Sequence, residues 1–159
     1  MCLVIALSSV AHADPAGTHL GIGVLAGMSS EHDPLGGVRA IVHVVDAKPG
    51  SLRAVAQLLY ARWQDRADLE HRWDVFATSA ALEYVAPVSL PFFIAAGAGL
   101  GYDIVQDNYD HPRSGHTFAA ARLSPTLNVG TFDVGLHLQL VYSDRMTVLG
   151  EVGIDYVIK

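Results

Sequence analysis

The sequence predicts an all-β protein in which eight antiparallel strands close into an up-and-down barrel. Three observations support this fold: apolar residues alternate with polar or small ones, turn-forming residues divide the chain into segments of strand length, and aromatic residues gather near the segment ends. Between Val134 and Tyr142, for example, valine, leucine and tyrosine alternate with Gly135, His137 and Gln139. Because successive side chains of a strand point to opposite faces, this pattern indicates one apolar face and one polar face.

Turn signals rich in Gly, Pro, Asn, Asp and Ser separate the candidate strands. The main competing interpretation is a helix over residues 51–63, where Ala, Leu, Gln and Arg favour helix locally, but the neighbouring pattern favours a strand there. The predicted strands, most of them near the roughly 9–11 residues that a tilted strand needs to cross a bilayer, cover residues 18–28, 37–46, 51–62, 73–84, 92–104, 117–125, 132–142 and 147–158.

The composition favours a barrel that spans a membrane. Hydrophobic residues make up 51% of the 159 residues and charged residues only 16%, which is apolar for a soluble domain of this size. No run approaches the roughly 18 consecutive apolar residues of a membrane-spanning helix. A high apolar content without such a run is typical of a transmembrane β-barrel, whose apolar side chains face lipid and whose polar side chains face the lumen.

The first thirteen residues have the features of a secretory signal. An apolar stretch over residues 2–10 precedes Ala11-His12-Ala13, a small-x-small cleavage pattern. We therefore expect a signal peptide at residues 1–13 and a barrel domain at residues 14–159, although a buried first strand is the alternative. The one cysteine, Cys2, lies in the signal segment, so neither a disulfide framework nor a cysteine-based metal site is expected.

The connections between the predicted strands alternate in length. Long polar connections outside and short turns inside are typical of bacterial outer-membrane barrels. The fourth connection, residues 86–91, is intermediate, and the seventh, residues 143–145, is too short for this rule. The long connections are residues 29–36, 64–72 and 105–116, and the tight ones are residues 47–50 and 128–131.

The aromatic residues are predicted to form two belts, one at each end of the strands. Amphipathic rings collect at both water–lipid boundaries, so a bilayer predicts two such belts. Phe76 is expected to lie between them. The belt at the loop end comprises Tyr60, Trp63, Trp73, Tyr102, Tyr109, Phe118 and Tyr142, and the belt at the turn end comprises Tyr84, Phe92, Phe93, Phe132 and Tyr156.

One face of the predicted strands is expected to carry the strand charges. The opposite, lipid-facing set is apolar, as it must be, since an Arg or Lys at the bilayer midplane costs about 2–4 kcal/mol. Eight strands enclose an interior that side chains can fill, so an ion network rather than an open pore is expected in the lumen. Its predicted members are Arg39, His43, Arg53, Gln57, Glu83, Asp103, Arg122, Asp133, His137, Glu151 and Asp155.

Three segments, residues 92–102, 123–130 and 151–156, resemble the small eight-stranded outer-membrane β-barrel family of Gram-negative bacteria. The resemblance is one of pattern and covers most of the chain after the signal segment. It implies an outer-membrane location, lipid as surroundings and insertion by the barrel-assembly machinery, and it says little about activity. In that family the last strand usually ends on an aromatic residue that this machinery reads, whereas here Tyr156 is followed by three further residues.

Motifs that carry catalysis or bind a cofactor are absent from the sequence. The Gly97-x-Gly99-x-Gly101 spacing does not match a dinucleotide fingerprint, and no nucleophile elbow, metalloprotease helix or phosphate loop is present. His137 beside Asp133 or Asp155 lacks a matching serine, so no catalytic residue and no cofactor are expected. The net charge of −6, without a Lys/Arg stripe, excludes nucleic acid as a partner.

The long connections contain histidines next to carboxylates, a combination that suits zinc, nickel or copper. These residues have no fixed ligand spacing, and loops are polar by default. Solvated loop charge is therefore favoured, and no metal is expected. The weak candidate ligands are His32, His71, His111 and His116.

Three functional classes remain open at this point. The first is a non-enzymatic outer-membrane barrel with a structural role in the envelope, a surface that binds an unidentified extracellular ligand, or both. The second is a soluble secreted barrel of the lipocalin kind, which requires the valine and leucine set to face inward. The third is a lipid-modifying barrel enzyme.

Overall fold

The computed structural model describes residues 20–30, 33–64, 72–107, 114–144 and 146–158. No helix in these ranges is long and apolar enough to cross a membrane. The strands are β1 Leu20–Ser29, β2 Pro34–Ala47, β3 Gly50–Gln64, β4 Arg72–Ser89, β5 Phe92–Asp107, β6 Ser114–Val129, β7 Phe132–Tyr142 and β8 Met146–Ile158.

The eight strands form one closed barrel. Each strand pairs antiparallel with the next in sequence, and β1 pairs with β8, for example through Val24 opposite Ile154. The register shifts only in β2, between His43 and Val45, and in β4, next to Pro87. The predicted eight-stranded antiparallel barrel is confirmed.

Several strands are longer than the sequence predicted. The prediction of an intermediate connection at residues 86–91 is wrong, because β4 continues to Ser89 and only Leu90 and Pro91 separate it from β5. Residues 34–36, 105–107 and 114–116, predicted as loop, also belong to strands. Their Pro, Gly and Ser content signals a turn locally, but pairing with a neighbouring strand satisfies their main-chain groups.

The barrel exterior is an apolar band. Outward-facing Val24, Leu100 and Val152 are 60%, 66% and 56% exposed. Among the described strand residues, the charged side chains on the outer face are Arg62, Arg72 and Asp74, which lie beyond Tyr60 at the loop end. The expectation of an outer face without any charge is therefore wrong at this end, where the strands extend past the aromatic belt. The soluble alternative is contradicted, because it required this valine and leucine set to be inside.

The aromatic residues follow the predicted belts with five exceptions. Phe118 at the loop end and Phe93 at the turn end are each only 5% exposed and face the interior. Tyr109 lies outside the described residues. Trp63 and Trp73 lie at the loop end, but they face the interior and not lipid. Each is an even number of residues from an inward polar residue, Gln57 and Glu83 respectively, so the two-residue period places it on the same face. Phe76, expected between the belts, pairs with Tyr60 at a ring-centroid distance of 5.0 Å and therefore belongs to the loop-end belt.

Seven other belt residues are exposed on the outer surface. At the turn end, the ring centroids of Phe132 on β7 and Tyr156 on β8 lie 5.6 Å apart, so this contact joins the two strands. The seven are Tyr60, Tyr102 and Tyr142 at the loop end and Tyr84, Phe92, Phe132 and Tyr156 at the turn end.

A charge in the middle of the outer band tests the lipid-facing assignment. Leu138 lies about midway between the two belts on β7. We expect Leu138→Arg to lower the free energy of unfolding from lipid vesicles by about 2–4 kcal/mol, and Tyr142→Arg, at the boundary, by about 0–1 kcal/mol. Urea titration in vesicles measures both values, with Leu138→Ala as the control for lost volume. Equal costs at the two positions would contradict a membrane-spanning band.

Candidate functional site in the barrel interior

The inner wall holds the polar residues that the sequence placed on one face. All eleven lie at inward-facing positions. Nine of them are buried, whereas His43 and Asp103 are half-buried. The two-residue period of the strands, applied to a closed barrel, brings the nine buried side chains, which come from six different strands, into one narrow space.

Arg39 and Asp155 form the first ion pair of the network. The guanidinium donates from Nε and Nη2 to the two carboxylate oxygens, a bidentate geometry that is among the stronger hydrogen-bonded arrangements. The two residues lie on β2 and β8, and Gly23 of β1 lies between them in register with both. A Cβ atom at Gly23 would overlap the Asp155 carboxylate, so glycine makes room for the pair.

Glu83 joins two arginines on the other side of the lumen. Arg53, directly opposite on β3, donates from Nε to Glu83 Oε2 at 2.9 Å. Arg122 Nη1 lies 3.7 Å from Glu83 Oε1. Arg122 also donates from Nη2 to Ser79 Oγ at 2.8 Å and to Gln57 Oε1.

Gln57 connects the two sides. Its amide nitrogen lies 3.0 and 3.1 Å from the two carboxylate oxygens of Glu151 on β8, while its amide oxygen accepts from Arg122. A continuous set of hydrogen bonds therefore crosses the barrel from β4 and β6 through β3 to β8. We use the term central network for the Arg39–Asp155 pair together with Arg53, Gln57, Ser79, Glu83, Arg122 and Glu151.

His137 contacts the network without forming a catalytic arrangement. Its Nδ1 lies 3.0 Å from Nη1 of Arg39, and a guanidinium can only donate, so this nitrogen accepts. A hydrolase histidine instead donates from this position to a carboxylate. Glycines 135 and 153 flank the ring, and a Cβ atom at either would lie 2.7 Å from it.

Three of the predicted polar residues lie apart from the central network. Asp133 accepts from Asn128 Nδ2 at 2.6 Å. His43 pairs with Asp46 at 3.2 Å at the turn end. Asp103 pairs with His116 at 3.1 Å near the loop end.

The metal candidates are brought together only in part. His32, His71 and His111 lie outside the described residues. His116 has Asp103 as its neighbour, and within the described ranges no group of three or more His, Cys, Asp or Glu residues is arranged to hold a metal ion.

Apolar side chains pack against the inner wall on both sides of the central network. Val85, Phe93 and Ala95 form a buried cluster toward the turn end. Leu25, Leu35 and Leu59 form another toward the loop end. The alternation pattern does not reveal these clusters. It identifies the inner face by the contrast between polar and apolar residues, and at these positions both faces of the strand are apolar.

Above the second cluster lies a cavity of about 950 Å³, which we call the vestibule. Its wall includes both tryptophans and Phe118, and Gln139 lies toward the central network. Acidic residues at its loop end include Asp33, Asp103 and Asp144.

No family model matches the chain, and no curated protein matches it in sequence. Several solved structures share its fold, including the following three. The attachment invasion locus protein Ail of Yersinia pestis, solved with the heparin analogue sucrose octasulfate, has a TM-score of 0.66 at 11% identity, covering 88% of this chain and 96% of Ail. Neisserial surface protein A has a TM-score of 0.64 at 11% identity, covering 87% and 96%. The outer membrane enzyme PagL has a TM-score of 0.56 at 10% identity, covering 87% and 99%.

These neighbours confirm the sequence-based resemblance at the level of fold. The chain is a small eight-stranded β-barrel of the outer-membrane type. At these identities the likeness does not extend to activity, and the neighbours themselves include an enzyme.

The Arg39–Asp155 pair can be tested by a double-mutant cycle. Removing one partner leaves a buried charge without compensation, so we expect Arg39→Met alone to lower the free energy of unfolding by about 3–5 kcal/mol. The double variant with Asp155→Leu removes both charges and should be more stable than Arg39→Met. Denaturant unfolding in lipid vesicles gives the coupling energy, and additive effects of the two substitutions would show that the pair does not act as a unit.

Proposed function

We propose that the protein is a non-enzymatic barrel of the bacterial outer membrane whose lumen is blocked by the central network. On this proposal it supports the envelope mechanically and binds a partner at its loop end. The observation that carries the proposal is the continuous hydrogen bonding from Arg122 through Gln57 to Glu151 across the interior.

The burial of the network supports a blocked lumen. Glu83, Glu151 and Asp155 are each no more than 2% exposed. Three arginines balance most of the charge of the four buried carboxylates, and the buried cluster of Val85, Phe93 and Ala95 lies toward the turn end. An ion that moved through the barrel would have to break these pairs.

The outer surface supports the membrane location. The uncharged band between two belts of Tyr and Phe fits the hydrocarbon layer and its two boundaries. The surrounding partner is then outer-membrane lipid, and the barrel-assembly machinery is the partner during insertion.

Single-channel recording tests the blocked lumen. We expect the purified protein in a planar bilayer to show no stable conductance steps. The variant Gln57→Gly/Glu151→Gly removes the central bridge and should produce steps or brief openings. Leu138→Ala, on the outer face, is the control for the effect of substitution itself. A heat-dependent shift in gel mobility identifies folded variants, and a stable open state of the unsubstituted protein would overturn the proposal.

A lipid-modifying enzyme is the second candidate, favoured by the His116–Asp103 pair. Its 3.1 Å contact joins imidazole Nδ1 to a carboxylate, which is the base and orienting group of a hydrolase. We expect mass spectrometry of outer-membrane lipid to show no difference between cells that produce the protein and cells that produce His116→Gln. Loss of a lipid product in the His116→Gln cells would favour the enzyme.

A further inference from the structure

We propose that the vestibule binds an organic cation with an apolar body. This inference goes beyond the proposed function, which assigns no ligand to the barrel interior. It rests on the volume, the apolar wall, the two tryptophans and the charge of the vestibule.

The size and wall of the vestibule suit a small molecule. Its volume of about 950 Å³ lies within the range of about 300–1,000 Å³ typical of ligand pockets. Leu35, Leu59, Val75, Phe118 and Leu149 supply an apolar wall. The central network lies beneath it, so a ligand enters from the loop end and stops there.

The only two tryptophans of the chain both line the vestibule. Trp63 on β3 and Trp73 on β4 are direct partners in the strand register, so they occupy neighbouring positions on one wall. The face of an indole attracts a cation within about 6 Å, and more strongly when water is excluded. Rings at the loop end that face the lumen do not lie at the lipid boundary, so the lipid interface does not account for their position.

The charge of the wall selects the sign of the ligand. Asp33, Asp103 and Asp144 line the vestibule, and its described lining contains no lysine or arginine. His116, paired with Asp103, is the one basic side chain among these lining residues. In the central network beneath the vestibule, Arg122 is held by Gln57, Ser79 and Glu83. The described lining therefore carries three carboxylates against one imidazole, so an anionic ligand would be repelled, whereas a cation meets complementary charge.

A pair of probes with one shape and opposite charges tests this selection. Tetraphenylphosphonium is a cation with an apolar body, and tetraphenylborate is its anionic counterpart. With the barrel in lipid nanodiscs, we expect the phosphonium to change tryptophan fluorescence in a saturable manner, with one equivalent bound by equilibrium dialysis. The borate should show only partition into lipid, proportional to its concentration. Because both tryptophans line the vestibule, the fluorescence signal reports on this site alone.

Removing the acidic charge should weaken the binding. The variant Asp33→Asn/Asp144→Asn keeps the side-chain shapes, and we expect it to lower the phosphonium affinity about tenfold or more. The matched control is Asp46→Asn, which removes an exposed carboxylate at the opposite end of the barrel and should leave the affinity unchanged. A heat-dependent gel shift checks that each variant is folded.

The inference is overturned by any of three results. These are the absence of saturable phosphonium binding, equal affinity for the two probes, and equal weakening by Asp46→Asn and Asp33→Asn/Asp144→Asn. Channel recording is independent of all three, so a barrel that conducts but binds the phosphonium refutes only the blocked lumen.

Discussion

The structure depends on the need to satisfy every main-chain hydrogen bond within a lipid-facing sheet. Lipid offers no partner to an unpaired N–H or C=O group, so the sheet must close, as β1 and β8 do over the whole length of β1. Closure has a second consequence. With apolar side chains such as Val24 and Ile154 outside, the two-residue period sends every intervening side chain into one narrow interior, where polar groups have to find partners among themselves.

The pairing inside the barrel is made possible by small residues on the intervening strands. Gly23 lies between Arg39 and Asp155, and its lack of a side chain lets the arginine reach across β1 to the carboxylate. Glycines 135 and 153 make similar room for the ring of His137. The alternation of long polar and small residues around the wall therefore decides which charges meet, and it allows fourteen polar residues of the described ranges to be buried in a barrel of only eight strands.

The period of two allowed the sequence to predict the strand number, the closure and the inward polar set, and for β7 both bounds were predicted correctly at Phe132 and Tyr142. It failed where local signals compete with pairing: the Pro-containing end of β4 looks like a loop until β5 lies beside it. The two-residue period could not predict which charges pair, since the contact of Arg39 with Asp155 depends on the register across three strands. Trp63 and Trp73, by contrast, were predictable from their parity, and were misassigned because proximity to a strand end was given more weight than face.

The order of layers inside the barrel indicates more than closure. A lumen that only had to be blocked can be polar throughout, since charged and amide groups pair well at its centre and water solvates them at its mouth. Here the inner wall turns apolar again above the central network, at Leu35, Leu59 and Leu149, and carries aromatic rings and carboxylates farther out. Apolar wall that faces water is unfavourable in proportion to its area. An occupant with an apolar body and a positive charge removes that cost and also contacts the carboxylates. A requirement to block the lumen does not by itself explain the composition of the vestibule, whereas a bound cation does.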